Sequence, residues 1–283
     1  MQASATTSST DYSDQPSAAL EWLSRAGYAA KGVVYATVGV LTLSALYGLF
    51  GGGSGGLTGT RGAVRAIAEQ PFGNILLVLL IIGLAGYVVW RFTQGIKDTE
   101  GKGTDTSGWM QRIGFMISGV VYASLTLYAI NLAGWFQSGS GSSGSSKQEL
   151  TARLMSYDAG IWAVGVAGAV FIGLGLYQFY RAYSEKFKES WKTNEMSADR
   201  LRFAERFAKF GISARAITLL LIGGLLVRAA LQADPSDAQG LGYALQSLRD
   251  ESYGMFLLTA IGLGLLCYGL YCFVNARYRT VNI

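Results

Sequence analysis

The chain has 283 residues, of which 51% are hydrophobic and only 14% charged, against roughly 25% charged in soluble domains. That deficit excludes an ordinary soluble domain and points to a membrane protein. With no histidine in the sequence, a Ser-His or Cys-His nucleophile pair, a His-ligated metal and an imidazole proton relay are excluded, and neither a metal nor a cofactor is expected.

Residues 1–20 form a Ser/Thr-rich polar tail, expected to be disordered, that lacks the basic start and short apolar core of a cleavable signal peptide. Six apolar windows follow at about 23–49, 73–96, 113–136, 159–183, 210–231 and 254–276, each of a length that crosses a bilayer as a helix. In hydrocarbon every backbone polar group must pair within its segment, so continuous helices are the expected form; no segment alternates strictly, which excludes a barrel. After the first window, residues 51–56 formally match the dinucleotide fingerprint Gly-x-Gly-x-x-Gly, but they follow a membrane helix instead of a strand and no nucleotide site is expected. In the connector 59–73, Ala63, Val64 and Ile67 fall on one side of a short helix. Residues 138–146 are Ser/Gly-rich and read as a loop before Leu150 and Leu154. Small residues recur at four-residue steps in the fourth window, Gly165, Ala169 and Gly173 beside Ala159, Ala163 and Ala167, which predicts close helix packing.

Residues 185–208 read as an amphipathic helix with Glu185 and Lys188, then Glu189 and Lys192, spaced for ion pairs and Phe187, Trp191, Phe203 and Phe207 as apolar points. Such a helix would lie on an anionic inner leaflet or dock an unknown protein partner. In the last connector, Leu241, Ala244, Leu245 and Leu248 again make an amphipathic stripe. The two cysteines, Cys267 and Cys272, lie in the sixth window about 140° apart around a helix and read as buried thiols.

The 23 Lys and Arg residues are unevenly placed. Only Arg61, Arg65, Lys147, Arg153, Arg228 and Arg249 fall on the side opposite the two termini, so the positive-inside rule predicts both termini in the cytoplasm and the chain in a cytoplasmic-type membrane. The net charge of +5 then reflects topology and contact with anionic lipid on the cytoplasmic face; nucleic acid is not an expected partner.

A period of about 90 residues occurs three times. The openings are Arg25-Ala-Gly27-Tyr28-Ala-Ala-Lys31-Gly32-Val-Val-Tyr35, then Arg112-Ile-Gly114-Phe115-Met-Ile-Ser118-Gly119-Val-Val-Tyr122, then Lys209-Phe-Gly211-Ile212-Ser-Ala-Arg215. The connector 59–73 also aligns with 240–254. The expected organisation is therefore three two-helix repeats, 21–98, 107–184 and 209–279, with the linker helix 185–208 between the second and third. Two spans per repeat make the repeats parallel. The expected fold class is an all-α membrane protein of six transmembrane helices in a pseudo-threefold arrangement, with short interfacial helices in the extracytoplasmic connectors.

Those openings, with Glu69-Gln70-Pro71-Phe72-Gly73 and Gly83-Leu-Ala-Gly86-Tyr87-Val-Val-Trp90-Arg91, resemble the bacterial membrane proteins built from three copies of the domain of unknown function 1206. The resemblance spans residues 21–279. It implies the six-span, three-repeat fold and supplies no substrate, cofactor or catalytic residue.

Lys31, Ser118 and Arg215 share one repeat position, six residues into the first, third and fifth spans and so about 9 Å deep. Lys31 and Arg215 either snorkel to the interface or, with Ser118, converge on the bundle axis to bind a lipid headgroup or other anion. Tyr35, Tyr122 and Thr218, one turn further, would extend that ring or pack within the bundle. Trp90, Tyr177 and Tyr271 align near the basic ends of their spans, where an interfacial aromatic belt is expected. No span carries a paired carboxylate or an activated nucleophile, so enzymatic activity is not expected. The reading is a non-enzymatic membrane module that binds lipid or a partner, with a small-molecule or ion transporter or pore as the alternative.

Overall fold

The structure, a computed structural model, describes residues 18–48, 57–97, 105–135, 158–232, 241–249 and 251–280. The polar tail up to residue 17, the Gly-rich stretch 51–56 and the Ser/Gly-rich stretch 138–146 with Leu150 and Leu154 lie outside these residues. Among the described residues there are eight α-helices: α1 (Ala18–Tyr47), α2 (Thr60–Ala68), α3 (Gly73–Lys97), α4 (Thr106–Leu132), α5 (Asp158–Tyr183), α6 (Ala198–Gln232), α7 (Leu241–Arg249) and α8 (Gly254–Tyr278). Six of them, α1, α3, α4, α5, α6 and α8, are long and apolar enough to cross a membrane. Their exposed surface is rich in residues such as Leu79, Val120, Trp162, Val166 and Phe256, as a lipid-facing surface requires.

Each repeat is a long helix, a connector and a second long helix. In the first and third repeats the connector holds a short helix whose buried residues are those of the expected stripes: Ala63, Val64 and Ile67 in α2, and Ala244, Leu245 and Leu248 in α7. Both connectors turn sharply into the next span. A Cβ on Gly73 would meet Ala68 O at 1.9 Å, and one on Gly254 would meet Leu248 O at the same 1.9 Å, so only glycine fits at either turn.

The long helices form an open arc in the order α4, α3, α1, α8, α6, α5. Close approach at glycine holds neighbours together, since lipid supplies little hydrophobic drive between helices. A Cβ on Gly39 of α1 would stand 2.7 Å from Gly262 O of α8, and one on Gly168 of α5 would stand 2.9 Å from Gly223 O of α6.

The repeats depart from threefold equivalence in the second unit. In the first, Gly27 of α1 lies against Tyr87 of α3, where a Cβ would be 2.6 Å from the Tyr87 Cα; in the third, Gly211 of α6 lies against Tyr268 of α8, with a Cβ 2.4 Å from its backbone N. The corresponding Gly114 of α4 has only Leu174 Cδ2 of α5 nearby, at 3.7 Å. The two helices of the second unit pack on α3 and α6 and hardly on each other.

The amphipathic helix expected at 185–208 is not what forms. Glu185 has φ 58°, a left-handed backbone that interrupts helical continuation. Residues Lys186–Ser190 and Thr193–Glu195 are 3-10 turns, and the residues from Ala198 onward are the first turns of the 35-residue α6. The Glu189 and Lys192 spacing is therefore not a helical pair. Phe187 and Trp191 are buried in the protein instead of facing a lipid surface.

Candidate functional site

Lys31 lies inside the bundle on α1, the helix that begins at Ala18. Its side chain is 1% exposed. The Lys31 Nζ donates to Tyr87 Oη of α3 at 2.8 Å and stands 4.8 Å from the Tyr87 ring centre, 5.3 Å from that of Tyr122 on α4 and 5.3 Å from that of Tyr268 on α8. Snorkelling needs the ammonium at the interface; here rings from three other helices enclose it, so that alternative is wrong for Lys31.

Arg215 of α6 reaches the same place. Its Nη1 donates to Tyr268 Oη at 2.9 Å and its Nε to Tyr35 Oη at 3.3 Å. Tyr35 and Tyr268 meet edge to face with centroids 4.8 Å apart. A third cation, Arg91 of α3, donates from Nε to Tyr87 Oη at 2.7 Å and from Nη1 to Gln94 Oε1 at 2.8 Å. One hydroxyl oxygen, that of Tyr87, therefore accepts from both Lys31 and Arg91. Among the described residues, neither Lys31 nor Arg215 forms an ion pair with a carboxylate.

Magnitudes explain how this is tolerated. A basic side chain at a span centre costs about 2.5–3.5 kcal/mol on insertion scales, and a desolvated cation–π contact returns up to about 2 kcal/mol. Three ring contacts and a charge-assisted hydrogen bond can thus offset the cost for Lys31. Neutral tyrosine rings and hydroxyls thus stand where carboxylates would stand elsewhere.

Of the residues anticipated for this site, Lys31, Arg215, Tyr35 and Tyr122 come together. Thr218 does not extend the ring: its Oγ1 donates to Arg215 O of its own helix at 2.7 Å, and the residue eight after Gly211, matching Tyr35 and Tyr122, is Leu219. Ser118 is half-buried one turn before Tyr122, and among the described residues it makes no hydrogen bond to the cluster. Sequence reasoning missed Tyr87, Tyr268 and Arg91. A signal for the two tyrosines existed, since each stands fourteen residues after the glycine opening its repeat's second span, where the second repeat has Leu174. The aromatic belt is also corrected: Trp90 and Tyr271 are buried inside the bundle, and only Tyr177 of the three is exposed.

Toward the end of the bundle where α1 starts and α8 finishes, the 3-10 segment packs over the cluster. Phe187, Trp191 and Tyr271 form a group with centroids 5.3–6.2 Å apart, and Tyr271 is 5.6 Å from Tyr268. Trp191 Nε1 donates to Asn275 Oδ1 at 3.4 Å. Backbone bonds from Lys192 N to Tyr278 O at 2.8 Å and from Thr280 N to Ser190 O at 2.9 Å tie the segment to the end of α8. On its outer side Glu185 receives hydrogen bonds from Lys188 and Lys209, and Lys188 also pairs with Glu205 at 2.7 Å. These two ammonium donors lower the Glu185 carboxyl to about 2; desolvation pulls Lys188 down, but the Glu185 and Glu205 carboxylates together hold Lys188 above the usual lysine value.

Comparison with known proteins places this geometry in a family. The profile of the Domain of Unknown Function (DUF1206) matches three times, at residues 26–98, 113–185 and 210–279. The chain is also 33% identical over 255 residues to the uncharacterized protein YxxB of Bacillus subtilis (strain 168), covering 90% of each chain. No solved structure matches it.

Proposed function

The chain belongs to the DUF1206 family, and from the cluster inside its bundle we propose that it is a non-enzymatic membrane module that binds an anionic group at Lys31 and Arg215. One observation carries the reading: two basic side chains from different repeats meet inside the bundle, partnered by tyrosines and by no carboxylate among the described residues. Tyrosines offset the cost of burial without neutralising charge, and an ionisable group inside a membrane bundle is a functional-site hypothesis by default. Unused donors support the reading. An ammonium carries three N–H groups and a guanidinium five, while Lys31 donates one hydrogen bond and Arg215 two.

The Lys and Arg content of the basic end supports a reading in which it faces the cytoplasm from a bacterial inner membrane, with anionic lipid there as its companion. The surface around Glu185, Lys188 and Lys209 is where a protein partner would dock. Transport is the second reading, favoured by the enclosure of the basic Lys31 within the bundle.

Native mass spectrometry of gently solubilised protein tests the proposal, comparing wild type with Lys31→Met and Arg215→Met, which keep side-chain bulk. The expected result is an anionic adduct on the wild type that falls at least tenfold in occupancy in both variants. Equal adducts in all three proteins would refute an anion site at this position.

A further inference from the structure

Cations and tyrosine rings alternate from the basic end of the bundle inward. The Arg279 guanidinium, at the end of α8, lies 5.1 Å from the centre of the Tyr28 ring. Arg91 lies 5.9 Å from the same ring and 4.9 Å from that of Tyr87, and Lys31 lies 4.8 Å from Tyr87. On α1 the face that carries Lys31 continues toward the basic end through Tyr28 and Ser24, at helical spacing. Both are buried, and neither hydroxyl makes a hydrogen bond among the described residues. Buried polar groups are ordinarily paired, so two unpartnered hydroxyl donors beside a file of cations leave a place for the oxygens of an anion. Past the cluster the same face of α1 offers nothing of the kind: Val38 is fully buried and Thr42 donates to Val38 O at 2.8 Å. The file thus reaches Lys31 from the basic end.

In this structure the file is closed. Arg279, Arg91 and Lys31 are all buried, so an anion reaches Lys31 only after something moves. The cover at this end is the 3-10 segment 186–195. Phe187 and Trp191 seat it on Tyr271, but its other ties are few. Two backbone bonds flank the bridge between Trp191 and Arg279. Partly exposed side chains pair it with α6, Glu185 with Lys209 and Lys188 with Glu205, and such pairs are worth little in water. The segment also begins at Glu185, a non-glycine residue in the left-handed region, and strain of this sort collects at clamps and switches. We infer that segment 186–195 is a lid that lifts from the end of α8 to admit a soluble oxyanion from the basic side, past Arg279 and Arg91 to Lys31, and closes behind it. This rests on the anion site proposed above and adds its route and its gate. A soluble ligand follows from the enclosure, because rings of α3, α4 and α8 wall Lys31 laterally while the lid covers the end of the bundle.

A natural thiol reports on the route. Cys272 is fully buried on α8, one turn after Tyr268 and three residues before Asn275, to which Trp191 donates, so it lies between the cluster and the lid. The probes are two methanethiosulfonate reagents of similar size, one carrying a sulfonate and one a trimethylammonium group, applied to the full-length protein in nanodiscs. The labelling rate is read at Cys272 by peptide mass spectrometry. The variants are Glu185→Gln, which loosens the lid, and Ser190→Cys with Thr280→Cys, which face each other beside the bridge and are oxidised to lock it before labelling. Thermal melting confirms that each is folded. The inference expects the sulfonate reagent to label wild type faster than the cationic one. It expects labelling by the sulfonate to rise about threefold or more in Glu185→Gln and to fall by at least about tenfold in the locked protein, as local opening requires. A Cys272 that is unreactive in wild type, labels equally when locked or is unchanged in Glu185→Gln would overturn the lid, as would equal rates for the two reagents. A phosphatidylglycerol adduct acquired equally by locked and wild-type protein would show entry from the bilayer and also overturn it. If the disulfide does not form, Glu185→Gln decides. Each of these results leaves the anion site standing; that site falls separately if anionic adducts persist in Lys31→Met and Arg215→Met.

Discussion

Adding one methyl group separates the tight repeats from the open one. In Gly27→Ala the new Cβ would stand 2.6 Å from Tyr87 Cα and 2.7 Å from its Cβ, where non-bonded carbons settle at about 3.5–4.0 Å. The helices α1 and α3 must part by about 1 Å, which also stretches the 2.8 Å hydrogen bond from Lys31 to Tyr87. Overpacking costs about 1–3 kcal/mol, loss of a bond to a charged donor about 1.5–3 kcal/mol, and the better helix propensity of alanine returns about 1 kcal/mol. The net loss is about 1.5–5 kcal/mol. Gly211→Ala meets Tyr268 N at 2.4 Å and belongs in the same range. Gly114→Ala has only Leu174 Cδ2 at 3.7 Å, an ordinary contact, so it is neutral or gains up to about 1 kcal/mol. Reversible unfolding in mixed micelles, or steric trapping in bicelles, measures all three. Gly27→Ala within about 0.5 kcal/mol of wild type, well below the overpacking range, would refute the packing argument. So would Gly114→Ala as damaging as the other two.

Further outcomes follow from the same contacts. Tyr87→Phe removes the hydroxyl that accepts from both Lys31 and Arg91 and is expected to cost about 3 kcal/mol or more in the same unfolding assay, from two charged donors at about 1.5–3 kcal/mol each. Trp191→Ala empties a buried site against Phe187 and Tyr271, at about 3–5 kcal/mol, and amide exchange should accelerate selectively in residues 186–195 and at the end of α8. Because the Glu185 carboxyl is lowered to about 2 from an ordinary 4.5, its bonds to Lys188 and Lys209 contribute fully above about pH 4.5 and are lost as pH falls toward 2. Exchange in the 3-10 segment should therefore rise across that window in wild type and be already raised, with little further change there, in Glu185→Gln.

The fold was legible because membrane helices announce themselves by length and the repeat predicts the pairing within the first and third units, though not within the second. The short helices were legible for the same reason, their stripes being Ala63, Val64 and Ile67 in one and Ala244, Leu245 and Leu248 in the other. The site was half legible. Lys31, Arg215, Tyr35 and Tyr122 carry a repeat signal, but the enclosure of Lys31 depends on rings that α3, α4 and α8 bring to it, which a count along one span does not register. Thr218 was misplaced by one residue of register, which on a helix is a rotation of about 100°. Residues 185–208 misled because charge spacing reports what a helix would do if one formed. It cannot report that Glu185 takes a left-handed backbone or that Phe187 and Trp191 find aromatic partners on α8.

The antiparallel bridge between Trp191 and Arg279 has a consequence for biosynthesis. Its two halves are separated by the whole of the third repeat, so nothing upstream can complete it. Four spans will have left the ribosome while Phe187 and Trp191 still lack Tyr271, Asn275 and Tyr278. The closure at this end therefore cannot precede the synthesis and docking of the final span. A chain truncated within α8 would retain most of its spans yet leave two large aromatic side chains uncovered, a mark by which membrane quality control can tell an unfinished copy from a complete one.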